Sequence, residues 1–362
     1  VAKNRRERKA DINEPIKIFA AVAPPFEAVG LQEFQELTKS RYLAEMHAGG
    51  YSFVMSLAEV KHLQAHLKVP TRLLARLAEF RVRDFPKFYQ KCSKIFWNDY
   101  LVEGQYELQV DCKKSRLNNE KRVADCFADA LKTHFQAFQP RKQSRSYAHR
   151  IFLRINADQC SLSLDLSGEP LYKRSLHRKV YKASIRENLI YALLYPYKSA
   201  MMDKDFIDPC CGSASSAWEV LHWHKAMQRE FAIDFLELAK SDRRFSKEEL
   251  GIRDVHLNDH NPAALAVAKE NLSDFARVHF HQEDVLTFMR QAPKRAFLFA
   301  NLPYGKQVKL EPPLADWLKA FRCSDNLVVY KSENKANSQR LRFYNGGILV
   351  EAEKWEGSHE SV

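Results

Sequence analysis

Four short runs in the second half of the chain, DFID (205–208), DVHLND (254–259), VHFHQED (278–284) and RAFLFAN (295–301), each end in an acid or a carboxamide. Each is rich in apolar, β-forming residues, and stretches long enough for a helix separate them. Strands that pair in parallel need a crossover of about a dozen residues or more, usually helical, so this spacing predicts a parallel sheet with helical connections. NLVVYKS (326–332) supplies a fifth strand. LRFYNGGILVEAEKW then carries Asn345-Gly346, a strong hairpin signal that predicts an antiparallel edge. Upstream, ASIRENLIYALL predicts a helix over 183–195, with Ile185, Leu189 and Leu193 on its apolar stripe and Ser184 and Glu187 at capping-box spacing. This half reads as an open α/β sheet.

Before residue 170 the pattern differs. IKIFAAVA (16–23) reads as a strand and VGLQEFQELTKS as a helix with Val29, Leu31, Phe34 and Leu37 at helical spacing. DFPKFYQKCSKIFW (84–97) and ADCFADALKTHF (124–135) read as helices, the second with Cys126, Ala130 and Leu131 facing inward. YELQVDCKK alternates as a strand does, and HRIFLRINADQCSLSLDLSG predicts a hairpin turning at Asn156-Ala-Asp-Gln. Strands and helices mixed at short spacing predict small α+β sandwiches. The division expected is a basic arm (1–15), an α+β region (16–171) and the open α/β sheet (172–362).

In open α/β sheets ligands bind at the carboxyl ends of the strands, beside the point where strand order reverses. The ends here are Asp208, Asp259, Asp284 and Asn301. A single Asp at such a place is most simply a helix cap; four polar tips in succession point to a ligand. The first tip continues DPCCGSASSAWE, where Pro209 and Gly212 shape a turn and Ser213 or Ser215 can cap a helix starting near Ala217. One glycine stands where a dinucleotide fingerprint needs three, so close approach of a pyrophosphate is not encoded. A cofactor lacking phosphates and bearing a positive centre beside Asp208 fits better. Asp259 can accept from ribose hydroxyls and Asp284 from an adenine amino group, which suits S-adenosyl-L-methionine.

The fourth tip reads FANLPYGKQ (299–307). An aromatic amine is a poor nucleophile because its lone pair is conjugated into the ring. The Asn301 side-chain oxygen and the Leu302 carbonyl can accept both amino hydrogens, while Pro303 keeps the backbone out of a helix and Tyr304 stacks on the base. Such stacking is worth roughly 1–3 kcal/mol per base. The competing reading is a plain strand exit with a buried tyrosine.

Charge is segregated. Residues 1–200 carry 35 Lys+Arg against 21 Asp+Glu, whereas residues 201–362 carry 22 against 24. A one-signed field over one part of a chain attracts a polyanion, and solubility alone gives no reason for the segregation. Arg116, Lys121, Arg141, Lys142, Arg145, Arg174 and Arg178 are the candidate RNA contacts, three of them in the basic loop QPRKQSRSYAHR (139–150). The seven cysteines form no Cys-x-x-Cys pair, and the histidines lack ligand spacing, so neither a metal site nor a disulfide framework is expected. With no apolar run near the roughly 20 residues of a membrane span and no apolar segment behind the charged arm, the expected setting is soluble and cytoplasmic.

DPCCGSAS, NDHNPAALAVAKENL, the EDV strand end and NLPYG resemble the motifs of class I amino-methyltransferases of the Asn/Asp-Pro-Pro-Tyr type. SLSLDLSGEPLYKR, VPTRLLARLAEFRVRDF, SRLNNEKRVADCFADAL and RFYNGGILVE extend the resemblance to the THUMP-domain-containing RNA guanine-N2 methyltransferases, over about residues 16 to 355. The bacterial enzymes acting on 23S rRNA come nearest, with the tRNA enzymes next. The resemblance implies a ferredoxin-like plus THUMP RNA-binding region ahead of a Rossmann-like class I methyltransferase sheet. It also implies Asp208, Cys211, Gly212, Ser213, Asp259 and Asp284 as cofactor residues, Asn301, Leu302, Pro303 and Tyr304 as the catalytic tetrapeptide, and structured RNA as partner. Leu302 stands where proline is more usual and Ala214 where glycine is common. A ribosome-assembly factor retaining a degenerate methyltransferase fold and a DNA adenine methyltransferase are the competing readings; a nicotinamide enzyme fits least.

Overall fold

The computed structural model describes residues 14–102, 104–138, 147–174, 178–179, 185–236, 238, 241, 243–245, 250–302, 314–321, 325–331, 341–345 and 348–355. They form two compact units. One comprises residues up to Val22, Leu31–Leu171 and Gln228–Phe245; the other comprises Ala23–Gly30, Tyr172–Met227 and residues from 246 onward. Each unit thus takes in a segment lying outside its main stretch of sequence.

The first unit is built on β1 (Pro15–Ala21), most of α1 (Glu27–Thr38), β2 (Ala44–His47), β3 (Gly50–Ser56), α2 (Leu57–Leu63) and β4 (Arg72–Arg81). After these come α3 (Phe85–Ser93), β5 (Tyr106–Lys113), α4 (Glu120–Ala137), β6 (His149–Asn156) and β7 (Gln159–Asp165). The first four strands lie in the order β2-β3-β1-β4, all antiparallel, which is a ferredoxin-like βαββαβ arrangement. β7 pairs with β4 and carries β6 and β5 with it, so a single seven-stranded sheet replaces the separate sandwiches expected. Residues 40–70, which carry no clear periodic signal, supply the β2–β3 hairpin and α2. The apolar faces of those short elements are only a few residues long and show no repeat. Their packing is nevertheless close: Phe34 of α1 meets Tyr51 and Phe53 of β3, with ring centroids 5.5 and 4.4 Å apart.

The β6–β7 hairpin turns through Ala157 and Asp158, both at positive φ (49° and 62°), and the turn suits the twist of the strands although neither residue is glycine. α4 is longer than its sequence signal and presents Val123, Phe127, Ala130, Leu131 and Phe135 to the sheet; Cys126 is only half-buried, off the centre of that stripe. β5 and β6 pair in parallel, joined across α4, which forces the long connection between them.

The second unit runs α5 (Glu187–Leu194), α6 (Lys198–Met201), β8 (Asp205–Asp208), α7 (Ser215–Leu221), β9 (Val255–Asn258), α8 (Pro262–Asn271) and β10 (Val278–His281). It continues with α9 (Val285–Gln291), β11 (Ala296–Asn301), α10 (Leu314–Ala320), β12 (Asp325–Lys331), β13 (Leu341–Asn345) and β14 (Ile348–Trp355). Strand order is β10-β9-β8-β11-β12-β14-β13: parallel from β10 to β12, then antiparallel. The order reverses between β8 and β11. β11 is continuously apolar because helices cover both faces of such a strand: Phe297, Leu298 and Phe299 are each at most 1% exposed. The hairpin is present, but Asn345 pairs with Ile348 as the last residue of β13, whereas an Asn345-Gly346 turn would have paired Tyr344 with Gly347.

The helix preceding the sheet starts later than the capping-box spacing implied. Its N-cap is Arg186, which makes no side-chain cap bond, and Glu187 is the first helical residue. Glu187 instead meets the buried Arg178 guanidinium. Ser184 lies outside the described residues.

Candidate active site

The tips of β10, β9, β8 and β11 stand side by side at one edge of the sheet, and the loop after β8 is the first feature built there. Asp208, 2% exposed, ends β8. One carboxylate oxygen accepts from Cys210 N (3.1 Å) and the other from the Ser216 hydroxyl. Asp208 therefore turns inward and binds its own loop. Burial pushes its pKa up to about 7, against the two hydrogen bonds, with Asp259 adding repulsion.

The loop is further tied to β9. Cys211 N donates to the Asn258 carbonyl (2.9 Å), and Gly212 N donates to Asp259 Oδ2 (2.9 Å), whose Oδ1 accepts from Asn261 N (2.9 Å). Asp259, one residue past β9, is thus fixed by one backbone donor on each oxygen, and each oxygen keeps a further lone pair. The Cys210 and Cys211 thiols are pushed up by burial and are inert; Cys211 contributes its backbone. Gly212 sits at φ +54°, and a Cβ there would meet nothing within 4 Å, so its role is conformational and the space above it is open. Ala214 is also left-handed (φ 61°, ψ 39°) and is the N-cap of α7, with no side-chain cap bond. Neither Ser213 nor Ser215 caps the helix as expected: the Ser213 hydroxyl is buried without a partner among the described residues, and Ser215 accepts from Arg178 (2.9 Å).

Asp284 departs from its expected place. β10 ends at His281, and Asp284 is the N-cap of α9, its Oδ1 accepting from Leu286 N (2.9 Å) and Thr287 N (3.2 Å). It is an exposed helix cap, and both cap bonds fall on the one oxygen. Asn301 ends β11 next to β8, and its Oδ1 is buried with no hydrogen-bond partner among the described residues. Leu302 is fully buried, held by its N–H to the Val329 carbonyl (2.9 Å). Pro303 and Tyr304 lie outside the described residues.

Of the expected RNA contacts, Arg116 and Lys121 are exposed on the first unit. Arg174 and Arg178 are not available to RNA. Arg174, 7% exposed, pairs with the buried Glu219 (3.2 Å), and Arg178 is buried against Glu187 and Ser215. Both guanidiniums neutralise carboxylates that burial would otherwise leave unpaired. Arg141, Lys142 and Arg145 lie outside the described residues. Among the described residues no His/Cys/Asp/Glu group is placed to hold a metal, and no helix is long and apolar enough to cross a membrane.

Sequence reasoning missed Ser216, Asn258 and Asn271. In SASS any of three hydroxyls could have turned back on Asp208, and helix phase chooses the third. Asn258 and Asn271 were passed over as a strand residue and a helix residue. The only signal was that each is an amide closing its element.

A sheet of this order, with a single-glycine loop after its first strand and a carboxamide tip across the switch point, defines a class I methyltransferase fold. The match to known families agrees: residues 174–325 match UPF0020, an RMKL-like methyltransferase domain, and residues 82–165 match the THUMP domain. The chain combines a THUMP domain with an RMKL-like methyltransferase domain.

Among curated relatives, the ribosomal RNA large subunit methyltransferase K/L of Syntrophotalea carbinolica is 28% identical over 82% of this chain and 45% of its own length. The chain therefore spans about half the length of that relative. The "Putative RNA methyltransferase slr0064" of Synechocystis sp. is 24% identical over 93% of this chain and 96% of its own. Among solved structures, SMU.472, "a putative methyltransferase complexed with SAH", superposes with a TM-score of 0.79 at 20% identity, covering 96% of this chain and all of that one.

Proposed function

We infer that this chain is an S-adenosylmethionine-dependent RNA methyltransferase acting on the exocyclic 2-amino group of a guanosine in 23S rRNA. The observation that carries the reading is the buried, unpartnered Asn301 Oδ1 at the tip of β11, directly across the switch point from the β8 loop. Buried acceptors are almost always satisfied, so an orphan at the edge of a ligand cleft points to a partner supplied by substrate. The residues present fit the cofactor: an open space over Gly212, the Ser213 hydroxyl, the Asp259 carboxylate for vicinal hydroxyls and, for an amino group, the Asp284 oxygen that the cap bonds do not use. When bound, that cofactor supplies an electrophilic methyl group on a sulfonium centre. The chain's own part is to orient the amine. Asn301 Oδ1 accepts one amino hydrogen, which draws the nitrogen out of conjugation and fixes its line of attack. No tuned general base is needed, because the proton can leave after transfer.

RNA as substrate is supported by the THUMP match, by the basic excess in residues 1–200 and by the relatives' names; those of the K/L type favour large-subunit rRNA. Reaching a base amine requires an unpaired or flipped nucleotide. The test is Asn301→Ala. S-adenosylhomocysteine binding by calorimetry should stay within twofold of the parent while methyl transfer to rRNA falls about 10²–10³-fold, the usual cost of one such acceptor or donor. Nucleoside mass spectrometry of rRNA and tRNA from a strain lacking the gene should show loss of one N2-methylguanosine in 23S rRNA. Unchanged transfer by Asn301→Ala, or a missing mark on tRNA or on adenine, would overturn the corresponding part.

A further inference from the structure

Asn258 closes β9 and Asn271 closes α8, and the two side chains make the same pattern of bonds. The Asn258 amide engages both the N–H and the C=O of one residue, Glu283: Oδ1 accepts from its N–H (3.0 Å) and Nδ2 donates to its carbonyl (3.2 Å). The Asn271 amide does the same to Lys179, accepting from its N–H (3.0 Å) and donating to its carbonyl (2.9 Å). Each imitates the reciprocal pair of bonds that a neighbouring β-strand residue would make. Each then spends its remaining N–H on the loop after β8: Asn258 on the Pro209 carbonyl (3.2 Å), Asn271 on the Ser213 carbonyl (3.0 Å).

The loop is therefore held at both ends by equivalent amide clips that reach different walls. Asn258, fully buried, joins the start of the loop to the residue preceding Asp284, and its own neighbour is Asp259. Asn271 joins the end of the loop, with its unpartnered Ser213 hydroxyl, to residue 179 just beyond the buried Arg178. Resting on the cofactor reading above, we propose that Asn258 and Asn271 are positioning residues that divide the cofactor between them: Asn258 sets the adenosine end and Asn271 the amino-acid end. The division follows from what each clip touches. Both groups assigned to ribose and adenine, Asp259 and Asp284, adjoin the Asn258 clip, and Ser213 lies at the opposite end of the loop. The nearest relatives of asparagine fit neither position, because Asp cannot donate to two carbonyls and Gln places its amide one methylene too far.

The test uses the full chain, with S-adenosylhomocysteine and adenosine as calorimetric probes. Asn258→Ala should weaken both probes at least tenfold and by the same factor. Asn271→Ala should weaken S-adenosylhomocysteine at least tenfold and leave adenosine within twofold. A merely structural role would move both probes together in both variants, and that outcome overturns the proposal, as does an Asn258→Ala protein that binds within twofold of the parent. If Asn258→Ala fails to fold, Asn258→Ser carries the same expectation. Hydrogen exchange on the parent then decides: the Glu283 and Lys179 amides should exchange more slowly with S-adenosylhomocysteine present, and unchanged exchange at both overturns it. Failure of the parent to bind either probe would instead strike the cofactor reading itself.

Discussion

The Ser216 hydroxyl, in the first turn of α7, donates back to the buried Asp208 carboxylate at the end of β8. That bond closes the loop on itself and makes the acid an internal fastener. It also leaves a carboxylate in a dry place with only neutral partners.

That placement has a pH signature. The folded pKa of Asp208 is raised to about 7, above its unfolded value, so between about pH 4 and pH 7 the folded state holds a proton that the unfolded chain releases. Its stabilising contribution is complete below pH 4 and is lost as pH rises to 7, by up to about 1.4 kcal/mol per unit. In denaturant titrations across this range, Asp208→Asn should flatten the slope. An unchanged slope would show that the group titrates normally.

His149 predicts the opposite sign in the first unit. It is fully buried with neither ring nitrogen bonded among the described residues, its ring 4.9 Å from that of Tyr147, and burial pushes its pKa down to about 4. Between about pH 6.5 and pH 4 the unfolded chain gains a proton that the folded one refuses, so stability falls as the solution is acidified. His149→Phe should remove that sensitivity, measured as midpoint against pH; acid lability equal to the parent's would sink it.

Arg174 and Glu219 form a buried pair, so the singles should cost more than the double. Arg174→Met removes the ion pair of the buried Glu219, at about 3–5 kcal/mol, whereas Arg174→Met with Glu219→Leu should recover most of that loss. Additive losses in chemical denaturation would show the pair to be uncoupled.

Ala214 holds a left-handed backbone that costs a side-chain-bearing residue about 1–2 kcal/mol, partly offset by the greater freedom of unfolded glycine. Ala214→Gly should therefore stabilise by about 0.5–1 kcal/mol and raise the unfolding midpoint by a few degrees. A lowered midpoint would contradict the strain.

Arg116 and Lys121 are exposed cations of the first unit. If they meet phosphates, Arg116→Ala combined with Lys121→Ala should reduce the slope of log affinity for rRNA against log salt by about two. A parental slope would place the RNA elsewhere.

Much of this was legible in the residues. DFID, RAFLFAN and LRFYNGGILVE announced their strands because fully buried parallel strands and Asn-Gly hairpins are local signals. The tips Asp208, Asp259 and Asn301 followed from where those strands stop. What misled was orientation. Asp208 ends β8 where a ligand acid would stand, yet its two oxygens turn onto Cys210 and Ser216 of its own loop. Arg174 and Arg178 read as free basic residues because their carboxylate partners lie 45 and 9 positions away, and only folding brings them together.

By itself the sequence determined the alternation of strands and helices, the single-glycine loop and the polar residues at successive strand ends, since periodicity, turn chemistry and strand termination are written within a few residues of each other. The tertiary structure alone decided which oxygens face the cleft, which charges are neutralised inside, and that Asn258 and Asn271 hold one loop from two sides. Those outcomes depend on donors and acceptors that sequence distance separates, and on the cost of leaving any of them buried and unpaired.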